Sequence, residues 1–328
     1  MPRQRRIESV VLSAPDQSAH LYPEALRAAL AEYAYRLGFD ACRVTAPCAP
    51  AAEVEHQQQW LRDGNSAAMD YLARDPATRY DARSLLPACR SVIVLAMSYY
   101  SGDAGRAAPE PVRVARYAWG EDYHAVLRDN AEQLGRWLDE RVPQHRYRVT
   151  VDSAPLAEKA FAVAAGVGWR GRNTLVLNER LGSYFMLACL LSSAELPLDE
   201  AAIDRCGSCQ RCIESCPTYA LGAPGMLDAR RCISYWTTSS KQPPPRAEML
   251  HGWLTGCDLC QQACPHNAAP AITREPRFAP LPGLPSMQPT AVLQMNEAVF
   301  QQRFGRTVLA GKGLARLQAI AKLLLSET

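Results

Sequence analysis

The sequence predicts a mixed α/β protein in three parts. An α/β domain covers residues 1–197, a cysteine-rich module covers 198–268, and a proline-rich connector with a short basic helical tail covers 269–328. Three observations carry this reading. Helix-like and strand-like patterns alternate through the first part. Eight of the 12 cysteines crowd between Cys206 and Cys264. Five prolines fall between Pro276 and Pro289, ahead of an apolar, helix-spaced end.

Each element has its own signal. Leu26, Leu30, Ala34 and Leu37 recur at helical spacing after Pro23, and Gly38 stands where that helix would stop. Ser91 to Tyr100 is a compact apolar run rich in β-branched residues, which reads as a buried strand. Tyr123, Val126, Leu127, Leu134, Trp137 and Leu138 mark a second amphipathic helix, closed by Pro143. Arg148–Val151 and Thr174–Leu177 read as short strands around a helix from about Leu156 to Ala165. The segment 198–268 is too poor in apolar runs to fold without an inorganic core. The prolines after it make a stiff, extended connector. Residues 269–328 hold seven Lys/Arg against three Asp/Glu, a local charge of 7 − 3 = +4.

Hydrophobic residues make up 48% of the 328 and charged residues 21%, which excludes wholesale disorder. The net charge, 36 − 33 = +3, is too small to announce nucleic-acid binding, so any basic surface has to be local. The start is basic, but Ile7–Leu12 contains Glu8 and is too short for the apolar core of an export signal, and Arg5-Arg6 lack the apolar stretch of a twin-arginine signal. The longest apolar runs, Val92–Met97 and Tyr184–Leu191, fall far short of the ~20 residues that span a bilayer. Thiolate ligands persist best where the environment is reducing. A cytoplasmic protein with no membrane association is expected.

Cys206, Cys209, Cys212 and Cys216 are spaced C-x2-C-x2-C-x3-C and followed by Pro217. Two intervening residues let a tight loop aim three sulfurs at three corners of an iron–sulfur cube, while the fourth turns away to a neighbouring cube. Cys257, Cys260 and Cys264 run C-x2-C-x3-C before Pro265, and Cys232 completes the eight thiolates that two [4Fe–4S] clusters need. The assignment that follows places one cluster on Cys206, Cys209, Cys212 and Cys264, and the other on Cys216, Cys232, Cys257 and Cys260. Two zinc sites are the rival reading, but zinc has no use for the third cysteine two residues on. Cys42, Cys48, Cys89 and Cys189 fit no such pattern and read as idle or buried thiols.

A two-cluster module could simply carry electrons for a partner enzyme, yet the preceding α/β domain is large enough to enclose another cofactor. Gly166, Gly168 and Gly171 spell G-x-G-x-x-G, but a helical stretch precedes them and a strand follows, the reverse of a dinucleotide fingerprint, so tight turns are expected. Asp122-Tyr123-His124 begins like the D-x-H-x2-G motif of cobalamin ligation through histidine, but Leu127 replaces the glycine, and His124 reads as structural. In VDSAPLAEK (Val151–Lys159), Asp152 ends a strand with Glu158 and Lys159 a helical turn on. On the rim of an apolar pocket such a carboxyl would have a raised pKa and donate protons. The alternative is an N-cap on the following helix, which spacing alone favours.

VDSAPLAEKAFA, GVGWRGRNTLVL, CGSCQRCIESCPT, DARRCISYWT and GCDLCQQACPHN, in this order, resemble the epoxyqueuosine reductases, cobalamin- and iron–sulfur-dependent relatives of the reductive dehalogenases that act on tRNA. The likeness runs from about residue 20 to 268 and includes RYDARSLLP and RYAWGEDYH. It implies reduction of epoxyqueuosine to queuosine at the tRNA wobble position, with two electrons passing through two [4Fe–4S] clusters to give cob(I)alamin, and Asp152 as proton donor to the departing oxygen. Cobalamin contacts carried over by position are Arg79, Ala115, Asp152, Val176, Leu187, Ser234, Asp258 and Leu259. Lys159 matches a tRNA-contacting position and Lys241 is a looser candidate. The partners implied are the tRNA anticodon stem-loop and an external donor such as a flavodoxin or ferredoxin, with the enzyme a monomer. The end of the chain departs from the family: GLARLQAIAKLLLSET (Gly313–Thr328) lacks the Asn of an Arg-Asn pair that members carry near their end, which bears on how tRNA docks. Reductive dehalogenation and a two-cluster electron carrier are the rival functions.

Overall fold

The computed structural model describes residues 23–74, 76–102, 112–244, 246–285 and 287–326. The basic start read above for targeting lies outside them. Helix α1 (Pro23–Arg36) buries Leu26, Leu30 and Ala34, and the chain reverses at Gly38 with φ +91°. Strand β1 (Ala41–Thr45), helices α2 (Ala51–Arg62) and α3 (Pro76–Tyr80), and strands β2 (Ser91–Ser98) and β3 (Arg113–Val114) follow. Next come α4 (Tyr123–Asp139), β4 (Tyr147–Thr150), α5 (Glu158–Ala164), β5 (Trp169–Arg170), β6 (Val176–Leu177) and β7 (Phe185–Ser192). The cysteine-rich segment carries α6 (Arg211–Glu214), β8 (Leu221–Ala223), β9 (Met226–Leu227), β10 (Trp253–Thr255) and α7 (Leu259–Gln262). Helices α8 (Pro289–Gln294), α9 (Glu297–Phe304) and α10 (Leu314–Leu325) close the described chain.

The central sheet has the order β1-β2-β7-β4, with every neighbouring pair antiparallel. Strand β2 is buried along its whole length because both faces of the sheet are covered. The two-residue period of a strand divides its side chains between two cores. Ile93, Leu95 and Met97 join α1 and α4 on one face, and Val92, Val94 and Ala96 meet Phe161 and Ala162 of α5 on the other. Strand β7 splits the same way, Ala188 and Leu190 against Cys189 and Leu191. The run Tyr184–Leu191 is therefore a central strand.

Two expectations change in detail, and the reading of the glycines as turn residues holds. The strand expected from Thr174 begins only at Val176, because Thr174 sits in a left-handed turn (φ +67°) closed by its N–H on Gly171 O. Gly166 ends α5 at φ +71°, and a Cβ on Gly168 would stand 1.9 Å from Leu177 O, so these glycines serve turns and close backbone approach. The proline-rich stretch is not an extended spacer. Phe278 and Leu284 are buried, Arg277 O accepts from Glu121 N, and Leu281 N donates to Trp119 O. The apolar residues between the prolines have a core to fill, so the segment lies flat on the body. The helices beyond it share a second core with Val112, Val114, Trp119, Leu250 and Leu254.

A candidate redox cleft

The cysteine-rich segment gathers its thiols in two groups. Cys206, Cys209, Cys212 and Cys264 line one cavity of about 80 Å³ together with Leu177 and His266. Trp169 Nε1 donates to Cys206 Sγ at 3.4 Å, and backbone N–H groups of His266 and Asn267 point at Cys264. Cys216, Cys232, Cys257 and Cys260 form the other group: Cys257 feels the charges of Cys232 and Cys216, and Cys260 those of Cys257 and Cys232. Ala220 N donates to Cys216 Sγ at 3.3 Å, and the backbone at Ser234 and Tyr235 turns donors toward Cys232. Donors aimed at sulfur favour the thiolate a metal centre requires. Ligands of a single zinc ion would bring sulfurs to about 3.8 Å of one another. Among the described residues no three His, Cys, Asp or Glu side chains converge as single-ion ligands do.

Asp152 stands at the end of β4, beyond Thr150, with φ +55°, a left-handed backbone rare for a residue with a side chain. It does not cap α5, whose N-cap is Ala157 with no side-chain bond. Tyr123 Oη donates to Asp152 Oδ2 at 2.7 Å, and His124 Nε2 lies 3.6 Å from the same oxygen. His124 Nδ1 is 2.7 Å from Asp122 Oδ1, and Asp122 caps α4 by accepting from His124 N. The first turn of α4 thus presents both partners of Asp152.

This arrangement reverses the expected pKa. The His124 imidazole 3.6 Å away, aided by the Tyr123 hydrogen bond and the charge of Lys159, outweighs burial and holds the Asp152 carboxyl down at about 2. The proton resides next door. Burial pulls His124 down, but its bonds to Asp122 and Asp152 raise it to about 9. Burial, with the negative charge of Asp152, pushes Glu158 up to about 8. His124, read from sequence as structural, is part of the site.

Asp152 and Lys159 are both exposed, yet protein surrounds them on most sides, which describes a deep open cleft. Burial and the charge of Arg170 lower the Lys159 pKa, and Asp152, Cys260 and Cys232 act on it in the opposite sense. The carboxyl and the second thiol group therefore both lie within electrostatic reach of Lys159. Of the other expected residues, Arg79 closes the Asp152 loop by accepting from Ala157 N at its carbonyl, and its Nε is buried without a partner. Ala115 and Leu259 pack in one apolar cluster beside Cys257, and Asp258, buried, accepts from Arg116 N. Burial raises the Asp258 carboxyl to about 6. Ser234 opens the π-helical turn Tyr235–Ser239, a form frequent at functional sites. Val176 and Leu187 pack in the core that α5 shares with the central sheet. Lys241 lies exposed on the loop leaving the π-helical turn. Three residues escaped the sequence reading. Lys312, which donates to Thr238 O, feels the charges of Asp152 and Asp122, and Arg316 donates to Trp236 O with its Nε buried and unpartnered. Tyr71, exposed under the Arg79 guanidinium, feels Asp152.

A mixed α/β sheet domain with an acid site, joined to a ferredoxin-type double thiol module, defines a class of iron–sulfur redox enzymes. An epoxyqueuosine reductase of Synechocystis is 35% identical over 80% of this chain and 93% of its own length. The chain belongs to the epoxyqueuosine reductase family. Residues 79–153 match the family model described as epoxyqueuosine reductase QueG, DUF1730, and residues 205–267 match a 4Fe-4S double cluster binding domain. The Pseudomonas aeruginosa relative is 39% identical over 80% of this chain and 74% of its own. A Synechococcus relative is 43% identical, over 64% of each chain. Among solved structures, an epoxyqueuosine reductase bound to an epoxyqueuosine-modified tRNA-Tyr stem loop superposes with a TM-score of 0.84 at 28% identity, covering 93% of this chain and 82% of that one. A Bacillus subtilis epoxyqueuosine reductase, matching equally well, was captured with its catalytic aspartate loop swung out of the active site. Among the described residues no helix is long and apolar enough to cross a membrane.

Proposed function

We propose that this chain reduces epoxyqueuosine to queuosine at the wobble position of tRNA, with [4Fe–4S] clusters on the two thiol groups and cobalamin in the cleft. The observation that carries the reading is the meeting of Asp152, its proton-bearing neighbours and the second thiol group around Lys159. Two features of these residues support a corrinoid there. Arg79 and Arg316 each leave a buried Nε without a partner, and the partly exposed Leu259 offers apolar surface beside Cys257. Cobalamin, when bound, would supply strongly reducing cobalt chemistry, with the clusters as its source of electrons.

The protein's part is to deliver protons. Converting an epoxide to an alkene consumes two electrons and two protons, breaks two C–O bonds and releases the oxygen as water. At neutral pH His124 holds a proton beside a carboxylate that holds none. A substrate seated over Asp152 excludes water and pushes its carboxyl up. The His124 proton can then pass through Asp152 Oδ2 to the departing oxygen, and the second proton of the released water follows by the same route once solvent has reprotonated His124. Asp152 is thus the last carrier and His124 the store. Tyr123 orients the carboxyl through its 2.7 Å bond.

Lys159, Lys312 and Arg316 put cations around the cleft for the RNA backbone, and affinity of that origin falls with added salt. Specific recognition would come from an unpaired anticodon base entering the cleft. The swung-out loop of the Bacillus relative supports a loop around Asp152 that also moves. Electrons from an external flavodoxin or ferredoxin would enter at the first thiol group, next to Pro265 and Gly207, both exposed. The test is incubation of reconstituted, reduced protein with tRNA from cells lacking this activity. Nucleoside mass analysis should show epoxyqueuosine losing one oxygen; unchanged epoxyqueuosine under conditions where cobalamin is bound and reduced would refute the proposal.

A further inference from the structure

Strand β4 stops at Thr150, and α5 begins at Glu158. The backbone between them is non-regular and reverses tightly: Ser153 N bonds Val151 O, and Asp152 holds its left-handed φ of +55°. A residue with a side chain keeps such a conformation when its surroundings fix it. One atom does much of this here. Glu158 Oε1 accepts the Asp152 backbone N–H at 2.9 Å and the Thr150 hydroxyl at 3.2 Å. The first residue of the helix therefore reaches back over the loop and ties the acid-bearing residue to the end of the strand. The same backbone turn aims the Asp152 carboxyl at Tyr123 Oη, 2.7 Å away, and at His124.

We propose that Glu158 is a positioning residue, a latch whose single carboxyl oxygen holds the Asp152 loop in the cleft and so sets where the acid meets Tyr123 and His124. It acts through Asp152 and touches no reacting atom. The inference rests on the reading of Asp152 as the proton carrier. A neutral oxygen can serve as the latch as well as a charged one, because the bond needs only an acceptor.

The test compares Glu158→Ala, Glu158→Asp and Glu158→Gln in the cluster- and cobalamin-loaded protein, with hydrogen exchange over residues 150–157 and steady-state kinetics on an RNA stem-loop substrate. Ala removes the oxygen and Asp withdraws it by a methylene. Both should raise amide exchange at Asp152 by about 10- to 100-fold. Both should also lower kcat by at least about tenfold with KM for the RNA little changed. Gln restores the acceptor and should return the protection and most of the kcat. Unchanged exchange in both Ala and Asp, or loss of protection in Gln equal to that in Ala, would overturn the latch. Lost protection with full kcat would refute Glu158 as a positioning residue, whereas parent-like turnover in Asp152→Asn would refute Asp152 as the carrier, so the two ideas fail separately. Asp keeps the experiment readable if Ala does not fold.

Discussion

Replacing His124 by Gln removes the imidazolium that stores the proton while keeping a side chain of similar reach. In the parent, His124 is raised from 6.5 to about 9 because its bonds to Asp122 and Asp152 outweigh its burial. That difference corresponds to about 3 kcal/mol. The Asp152 side chain is 66% exposed, and solvent screening cuts the usable part to about 1–2 kcal/mol. Since the folded pKa lies above the unfolded one, this stabilisation is complete below pH 6.5 and disappears as the pH rises through about 9. The variant should therefore be less stable than the parent by about 1–2 kcal/mol at pH 6 and equal to it near pH 10, measured by denaturant unfolding. Turnover gives the sharper readout. Parent kcat should be level through neutrality and fall about tenfold per pH unit above about 9 as the store empties. His124→Gln should lower kcat by about 10²- to 10³-fold at pH 7 and abolish that alkaline limb. If the variant keeps both the parent rate and the parent limb, the proton comes from elsewhere.

Asp152→Asn should retain iron, sulfide and cobalamin binding and lose turnover by about 10²- to 10⁴-fold; near-parent single-turnover rates would remove Asp152 from the proton path. Lys159→Glu should weaken stem-loop binding and lower the slope of log Kd against log salt by about one contact, and a titration showing an unaltered slope would dismiss the phosphate contact. Cys206→Ser and Cys232→Ser strike different thiol groups, so each should halve the iron and sulfide bound. Complete loss in both variants would contradict independent groups.

Much of the fold could be read from local pattern. The helix at Tyr123–Asp139 announces itself by a single helical period of burial, and the strand at Ser91–Ser98 by an unbroken apolar run. Strand β1 gave no signal, since its alternation is short and its first three residues stay partly exposed. The thiol motifs were legible because a cube dictates local spacing, whereas Cys232 and Cys264 join their groups only through the fold. The acid site divides along the same line. Asp152 could be singled out, but its neighbour His124 lies on another helix, and the charge environment that lowers its pKa comes from the packing of α4 against the end of β4. Lys312 and Arg316 were invisible for a related reason. A proline-rich stretch reads as a spacer, and only its buried Phe278, Leu284 and Met287 show that it returns the chain to the cleft.

Iron and acid-labile sulfide, counted on protein reconstituted and purified without oxygen, test most directly whether the cleft is backed by two cubes. About eight of each per chain are predicted. About two zinc ions per chain, with iron and sulfide near zero, would contradict the account at its base.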